Sequence, residues 1–166
     1  MIPRYRLLAE RLRTELAKLD QVVRRAEGAL ERAARQPADQ DYFLAAAALD
    51  LHGFYSGVER LLELIAQEVD ESLPKGPRWH RDLLAQMSLS VPGLRPAVLR
   101  PETQTALLTY LEFRHVVRNV YTFNLQPERV AELVRGLRPT FAGVEQDLGT
   151  FIAFLVDLSE ADRAQG

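Results

Sequence analysis

The sequence predicts an all-α protein, an antiparallel bundle of four to five main helices. Apolar residues recur at steps of three and four along most of the chain, and no convincing run alternates polar and apolar residues as a half-buried strand does. Proline and glycine mark the breaks between these periodic stretches. A chain of 166 residues is long enough to bury one core. We therefore expect residues 1–159 to form one helical domain and residues 160–166 to be a frayed tail.

Composition restricts the classes of function. No apolar run approaches the ~20 residues of a membrane span, so a cytoplasmic protein without membrane association is expected. The absence of cysteine excludes disulfides and thiolate chemistry, and three histidines alone argue against a metal site, so we expect no metal and no cofactor. Charge is unevenly distributed. Residues 39–71 carry one Lys/Arg against eight Asp/Glu, and residues 75–101 carry five against one. Such blocks suit solvated faces, helix or subunit pairing, or guidance of a phosphate backbone.

The first two helices are long. The first runs from the N-terminus to a break at residues 36–39, with its apolar stripe from Tyr5 to Ala33. The second runs from about residue 41 to residue 69 and contains Gly53 and Gly57 on one face. Each glycine weakens a helix by about 1 kcal/mol relative to alanine. We therefore expect another helix to approach closely there; the alternative is a nucleotide that passes close to the backbone.

The second half of the chain is more interrupted. After a break at residues 73–77, a short helix is predicted over residues 78–87, followed by an apolar loop to residue 101 that should lie against the bundle. The central helix begins at Pro101 and is predicted to reach about residue 123. A short helix over residues 126–135 and a last helix that begins at Pro139 complete the prediction.

Residues 110–123 of the central helix hold the densest group of chemically capable side chains. At about 100° per residue, Arg114, Arg118 and Tyr121 share one stripe. The adjacent stripe carries His115, Asn119 and Thr122. The opposite side is apolar, with Phe113, Val116, Val117 and Val120. One arc of the helix can therefore pack on a core while the other presents polar groups.

This polar arc suits phosphodiester chemistry. Cleavage of RNA by its own 2′-hydroxyl needs a base, an acid and cationic groups for the charge that builds on phosphorus. His115 can transfer protons near neutral pH, and Arg114 and Arg118 can converge with it on one phosphate. A second acid has to come from elsewhere, for example from the same helix of a partner subunit. Alternatively, the arc is purely structural and pairs with the acidic helix of residues 39–71.

Four stretches of the chain resemble the HEPN superfamily, specifically the HepT-like toxins that pair with minimal nucleotidyltransferases. The longest reads Tyr-Leu-Glu-Phe-Arg-His-Val-Val-Arg-Asn-Val-Tyr, and the set covers residues 51–60, 79–87, 95–98 and 110–121. The resemblance implies a helical bundle that forms a homodimer, with a metal-independent ribonuclease site near the dimer cleft. It also implies RNA as the substrate and a nucleotidyltransferase antitoxin as the partner.

The family motif, Arg-Asn-x-x-x-His-x-Tyr, is matched with one exchange. Arg114 and Tyr121 occupy their motif positions, whereas His115 stands at the Asn position and Asn119 at the His position. The imidazole is thereby displaced by ~6 Å along the helix. From their chemistry we expect Arg114 and Arg118 to bind phosphate, His115 to be the acid–base group and Asn119 to position the substrate. The resemblance implies that Tyr121 is the residue that the partner adenylylates. Alternatively, the exchange leaves a catalytically silent HEPN module that binds RNA, nucleotide or a protein partner.

Overall fold

The structure, a computed structural model, describes residues 2–119, 121 and 124–166, with only the backbone for residue 2. Within these residues the chain forms five α-helices and no β-strand: α1 Ile2–Arg35, α2 Gln40–Ile65, α3 Trp79–Met87, α4 Pro101–Asn119 and α5 Pro127–Gln165. The predicted all-α bundle is confirmed. No helix in this described part of the chain is long and apolar enough to cross a membrane.

The long helices α1, α2 and α5 form the body of the bundle. α1 packs along both α2 and α5, while α4 contacts α2 and α5, and α3 contacts α2 and α4. Arg4 at the start of α1 pairs with Glu68 just beyond the end of α2, so these two helices run antiparallel. In the core, the ring of Phe54 makes edge-on contacts with Tyr110 and Phe141, at centroid distances of 5.7 and 6.2 Å.

The two glycines of α2 have different surroundings. A Cβ atom at Gly57 would come within 2.5 Å of the Cδ2 atom of Leu19, a buried residue of α1. A Cβ atom at Gly53 would meet no described atom within 4 Å. The expected close approach of a second helix is therefore confirmed at Gly57 and is wrong at Gly53.

The last helix corrects one sequence prediction. Residues 127–165 form one helix with Pro139 inside it, not two helices divided before that proline. Proline removes one helical hydrogen bond, at a cost of ~3 kcal/mol or more. The apolar stripe nevertheless continues in register across it, because Leu137 and Phe141 on either side of Pro139 are both buried. Burial of this stripe against the bundle holds the helix together.

The end of α4 also differs from the prediction, and α5 extends beyond residue 159. α4 ends at Asn119 and does not reach residue 123 as a described helix, since Tyr121 is not helical and residues 120, 122 and 123 lie outside the described residues. Asn119 Nδ2 donates a hydrogen bond to the backbone carbonyl of His115, at 2.7 Å, and so satisfies a carbonyl in the last turn. α5 continues to Gln165, with exposed side chains from residue 160 onwards. Fraying of this tail stays a prediction.

The segment between α3 and α4 is fixed by one buried arginine. All five N–H groups of Arg95 are used: two bond to the carboxylate of Asp70, and three bond to the carbonyls of Gln86, Leu89 and Pro96. Asp70 ends a π-helical turn, Ala66–Asp70, that extends α2. Val98 and Leu99 are buried in the same segment, so the predicted packing of this loop on the bundle is confirmed. The loop thereby holds α3 and α4 at fixed positions beside α2.

Candidate functional site

The predicted polar arc of α4 divides between two environments. The side chain of Arg114 is turned towards α2 and is only 15% exposed, whereas His115, Arg118 and Asn119 are exposed. Tyr121 follows the helix and is 72% exposed. On the predicted apolar side Phe113 is buried and Val117 half-buried, but Val116 is exposed; Val120 and Thr122 lie outside the described residues.

Arg114 faces a buried carboxylate. Its Nη1 atom lies 3.6 Å from Oε1 of Glu59, a residue of α2 that is 5% exposed. Its Nε atom is buried and has no hydrogen-bond partner among the described residues. A buried charge is stabilised only by a close partner of opposite sign, so Glu59 and Arg114 hold each other in place. The structural alternative from the sequence, in which the arc pairs with the acidic helix, thus holds for Arg114.

His80 completes this cluster from α3. Its Nδ1–H group donates to Oε2 of Glu59 at 2.7 Å, and the Nδ1 atom lies 3.4 Å from Nη1 of Arg114. The ring of Trp79 lies against the imidazole, with ring centroids 3.7 Å apart. A carboxylate on one ring nitrogen fixes both the orientation and the tautomer of a histidine. His80 is therefore an oriented imidazole next to a guanidinium.

A cleft of about 310 Å³ opens between the start of α3 and the exposed side of α4. His80 and His115 both line it, together with Arg78, Arg81 and Glu112. Arg81 forms an ion pair with Glu112, with 3.3 Å between Nη2 and Oε1. The cleft thus joins two imidazoles, which can transfer protons, with two guanidiniums, which can bind an anion.

The positive charges of Arg114 and Arg118 also affect His52, the remaining histidine of the chain. The pKa of His52 is lowered by partial burial first, then by the positive charges of Arg114 and Arg118. Burial and the neighbouring charge of Glu59 raise the pKa of Glu63, and the same two causes raise the pKa of Tyr55. The field therefore changes sign across the site, from positive around α4 to negative around Glu59 on α2.

The sequence identified part of this site. Arg114, His115, Arg118 and Asn119 could be found because they lie within two turns of one helix. Glu59 and His80 were missed as members of the site. They lie 55 and 34 residues before Arg114 in the chain, and no spacing rule links three different helices. The only local signal was the Trp79-His80-Arg81 run in a basic stretch.

A metal ion has no evident position here. Among the residues that the structure describes, no group of three or more histidine, cysteine, aspartate or glutamate side chains is arranged to hold one. The site chemistry available from the described side chains is therefore that of imidazole, guanidinium, carboxylate and amide groups.

Comparison with known proteins identifies a family for this chain. The family described as HepT-like protein matches residues 46–155, more than half of the chain, and the matched region contains Glu59, His80 and the whole of α4. No curated protein and no solved structure matches the chain. The family match and the all-α fold agree with the resemblance read from the sequence, and the chain belongs to the HepT-like family.

Proposed function

We propose that this HepT-like protein is the toxin component of a toxin–antitoxin pair and a metal-independent endoribonuclease. The observation that carries the proposal is the cleft between the start of α3 and the exposed side of α4. There His115 faces Arg78 and Arg81, and Arg114 lies on the adjoining side of the helix. A proton-transfer group among several guanidiniums is what cleavage of an RNA phosphodiester by its own 2′-hydroxyl requires.

The side chains have distinct roles in this proposal. Arg114 and Arg118 bind the scissile phosphate and stabilise the charge that develops on it. His115 transfers a proton, and Asn119 positions the substrate. Arg78 and Arg81 extend the positive surface along the cleft, which suits the backbone of a neighbouring nucleotide. RNA is the substrate class, because only RNA offers the 2′-hydroxyl that this chemistry uses.

Control of the activity belongs to the same proposal. Tyr121 follows α4 directly and is 72% exposed, so another enzyme can reach it. We propose that a nucleotidyltransferase antitoxin transfers AMP to its hydroxyl. The added phosphate would be held near Arg118 and would compete with the substrate phosphate. The active form is proposed to be a homodimer.

The proposal is tested by RNA cleavage with purified protein in EDTA. His115→Asn removes the imidazole from the cleft, and we expect it to lower kcat by about 10²–10⁴-fold, the usual contribution of one acid–base group. Arg114→Lys keeps a charge beside Glu59 but loses the planar fork that binds phosphate, so a smaller loss is expected. His52→Asn is the matched histidine control and should retain activity. Equal cleavage by the native protein and His115→Asn would contradict the proposed role.

Two observations favour a second candidate, a catalytically silent module that binds RNA. The amide of Asn119 is engaged with the backbone carbonyl of His115, and Arg114 faces Glu59 instead of open solvent. In this case Arg118→Gln and Arg81→Gln would each weaken RNA binding. Neither the native protein nor any variant would cleave RNA at any pH.

A further inference from the structure

We propose that His80, oriented by the buried Glu59, is the second acid–base group of the same cleft, so that one protomer supplies both proton-transfer residues. This inference rests on the proposed ribonuclease function. Strand cleavage moves two protons, one from the 2′-hydroxyl and one to the leaving oxygen. The sequence led us to expect the second group from a partner subunit, whereas the structure has a second histidine in the same cleft as His115.

The first support is the hydrogen bond that orients His80. Its Nδ1–H donates to Glu59 at 2.7 Å, which leaves Nε2, on the other side of the ring, as the atom that can exchange a proton with a substrate. A base that is itself oriented by a third group is the general arrangement of catalytic imidazoles. Trp79 stacks on the ring and further limits its rotation.

The second support is the position of this ring relative to the cleft. A histidine that served only to neutralise Glu59 could be closed off from solvent, but His80 lines the cleft and its side chain remains 24% exposed. Arg114 Nη1 lies 3.4 Å from Nδ1, on the Glu59 side of the ring, whereas Arg78 and Arg81 line the cleft together with the imidazole and can bind a phosphate there.

The reaction balances with these groups alone. One neutral imidazole takes the proton of the 2′-hydroxyl as the 2′-oxygen forms its bond to phosphorus. The bond from phosphorus to the 5′-oxygen breaks, and that oxygen keeps the electron pair and takes a proton from the second imidazole, which is protonated at the start. The products are a 2′,3′-cyclic phosphate and a 5′-hydroxyl. One histidine has gained a proton and the other has lost one, and exchange with water restores both.

The test is the pH dependence of RNA cleavage, measured in EDTA for the native protein, His80→Asn and the control His52→Asn. His80→Asn keeps an amide N–H that can donate to Glu59 but removes Nε2. We expect kcat to fall by about 10²–10⁴-fold with little change in KM, and one limb of the bell-shaped pH profile to disappear. His52→Asn should keep both limbs. If His80→Asn keeps both limbs of the pH profile and its kcat falls by less than about threefold, the inference is overturned.

Two further measurements separate catalysis from folding and from the parent proposal. Glu59→Gln keeps a hydrogen-bond acceptor for His80 but removes the charge, and it should reduce kcat. In the native protein, a non-cleavable DNA oligonucleotide that fills the cleft should shift the NMR signals of both His80 and His115. If the NMR signal of His80 does not shift when the protein is saturated with the oligonucleotide, the inference is overturned, even if every His80 variant unfolds.

If the native protein cleaves no RNA, the proposed function fails and the role of His80 fails with it. If it cleaves and His80→Asn is unaffected, only the inference fails.

Discussion

Arg114 and His115 are neighbours in the chain, yet their side chains meet different surroundings. A helix turns by about 100° per residue, so Arg114 points towards Glu59 on α2 while His115 points into the cleft beside α3. The guanidinium is held by a buried charge, and the imidazole remains accessible. At the end of the same helix Asn119 bonds to the carbonyl of His115. Because of the exchange of His and Asn, the amide of Asn119 lies where it can bond a carbonyl in the last turn of α4.

The pKa of His52 depends on the charges of this site. Its pKa lies below the ordinary value because of burial and because of Arg114 and Arg118. Arg118→Gln removes one positive charge and should raise this pKa, and an oligonucleotide bound at the arginines should also raise it. An NMR titration of the His52 ring measures both effects. No change with Arg118→Gln would contradict the proximity of the two residues.

The same shift has a consequence for stability. When the pKa of a histidine is lower in the folded state, the unfolded chain binds more protons between that lowered value and the ordinary one. Stability contributed by the neutral His52 is therefore present above pH ~6.5 and is lost as the pH falls through this window. Arg118→Gln should make the loss smaller.

At the scale of the elements, α1 packs close to α2 because Gly57 has no side chain. Gly57→Ala would place a methyl group against the buried Leu19, whereas no described atom lies within 4 Å of a methyl group at Gly53. Gly53→Ala should stabilise the protein by roughly 0.5–1 kcal/mol through helix propensity. Gly57→Ala should be less stable than Gly53→Ala by about 1–3 kcal/mol, the usual effect of overpacking a core. Urea unfolding of both variants measures the difference, and equal stabilities would contradict the close packing at Gly57.

The helices that the sequence predicts well are those with a long, uninterrupted apolar stripe. α1, α2 and α3 agree with the prediction to within a few residues, because the same periodicity that marks them in the sequence buries them in the bundle. α5 was predicted as two helices because a local rule, the proline at 139, was given more weight than the stripe that continues through it. The predicted end of α4 at about residue 123 is also too late, since Tyr121 is not helical, while residues 120, 122 and 123 lie outside the described residues.

At the scale of the whole molecule, the candidate site is assembled from three helices. α2 supplies Glu59, α3 supplies His80, and α4 supplies Arg114 and His115. The part on α4 could be predicted, because helical geometry relates residues three and four apart. The parts on α2 and α3 could not, because their distance in space is fixed by packing of the bundle and by the loop that Arg95 anchors.

The side chains from these three helices suit one type of RNA cleavage, the type proposed above. The family match covers α4 and most of the bundle, and it supports a HEPN-type module. Two histidines in one cleft, with Arg78, Arg81 and Arg114 around them, suit attack by a 2′-hydroxyl without a metal ion. In the proposed mechanism, side chains of this chain transfer the protons and stabilise the charge.

The chemical form of the cleaved ends tests this mechanism most directly. Purified protein in EDTA is given an RNA oligonucleotide and the DNA oligonucleotide of the same sequence, and the products are weighed by mass spectrometry. We expect the RNA to be cut into fragments with 2′,3′-cyclic phosphate and 5′-hydroxyl ends, and the DNA to remain intact because it lacks the nucleophile. Intact RNA, fragments with 3′-hydroxyl and 5′-phosphate ends, or cleavage of both substrates would contradict a metal-independent ribonuclease that acts through the 2′-hydroxyl.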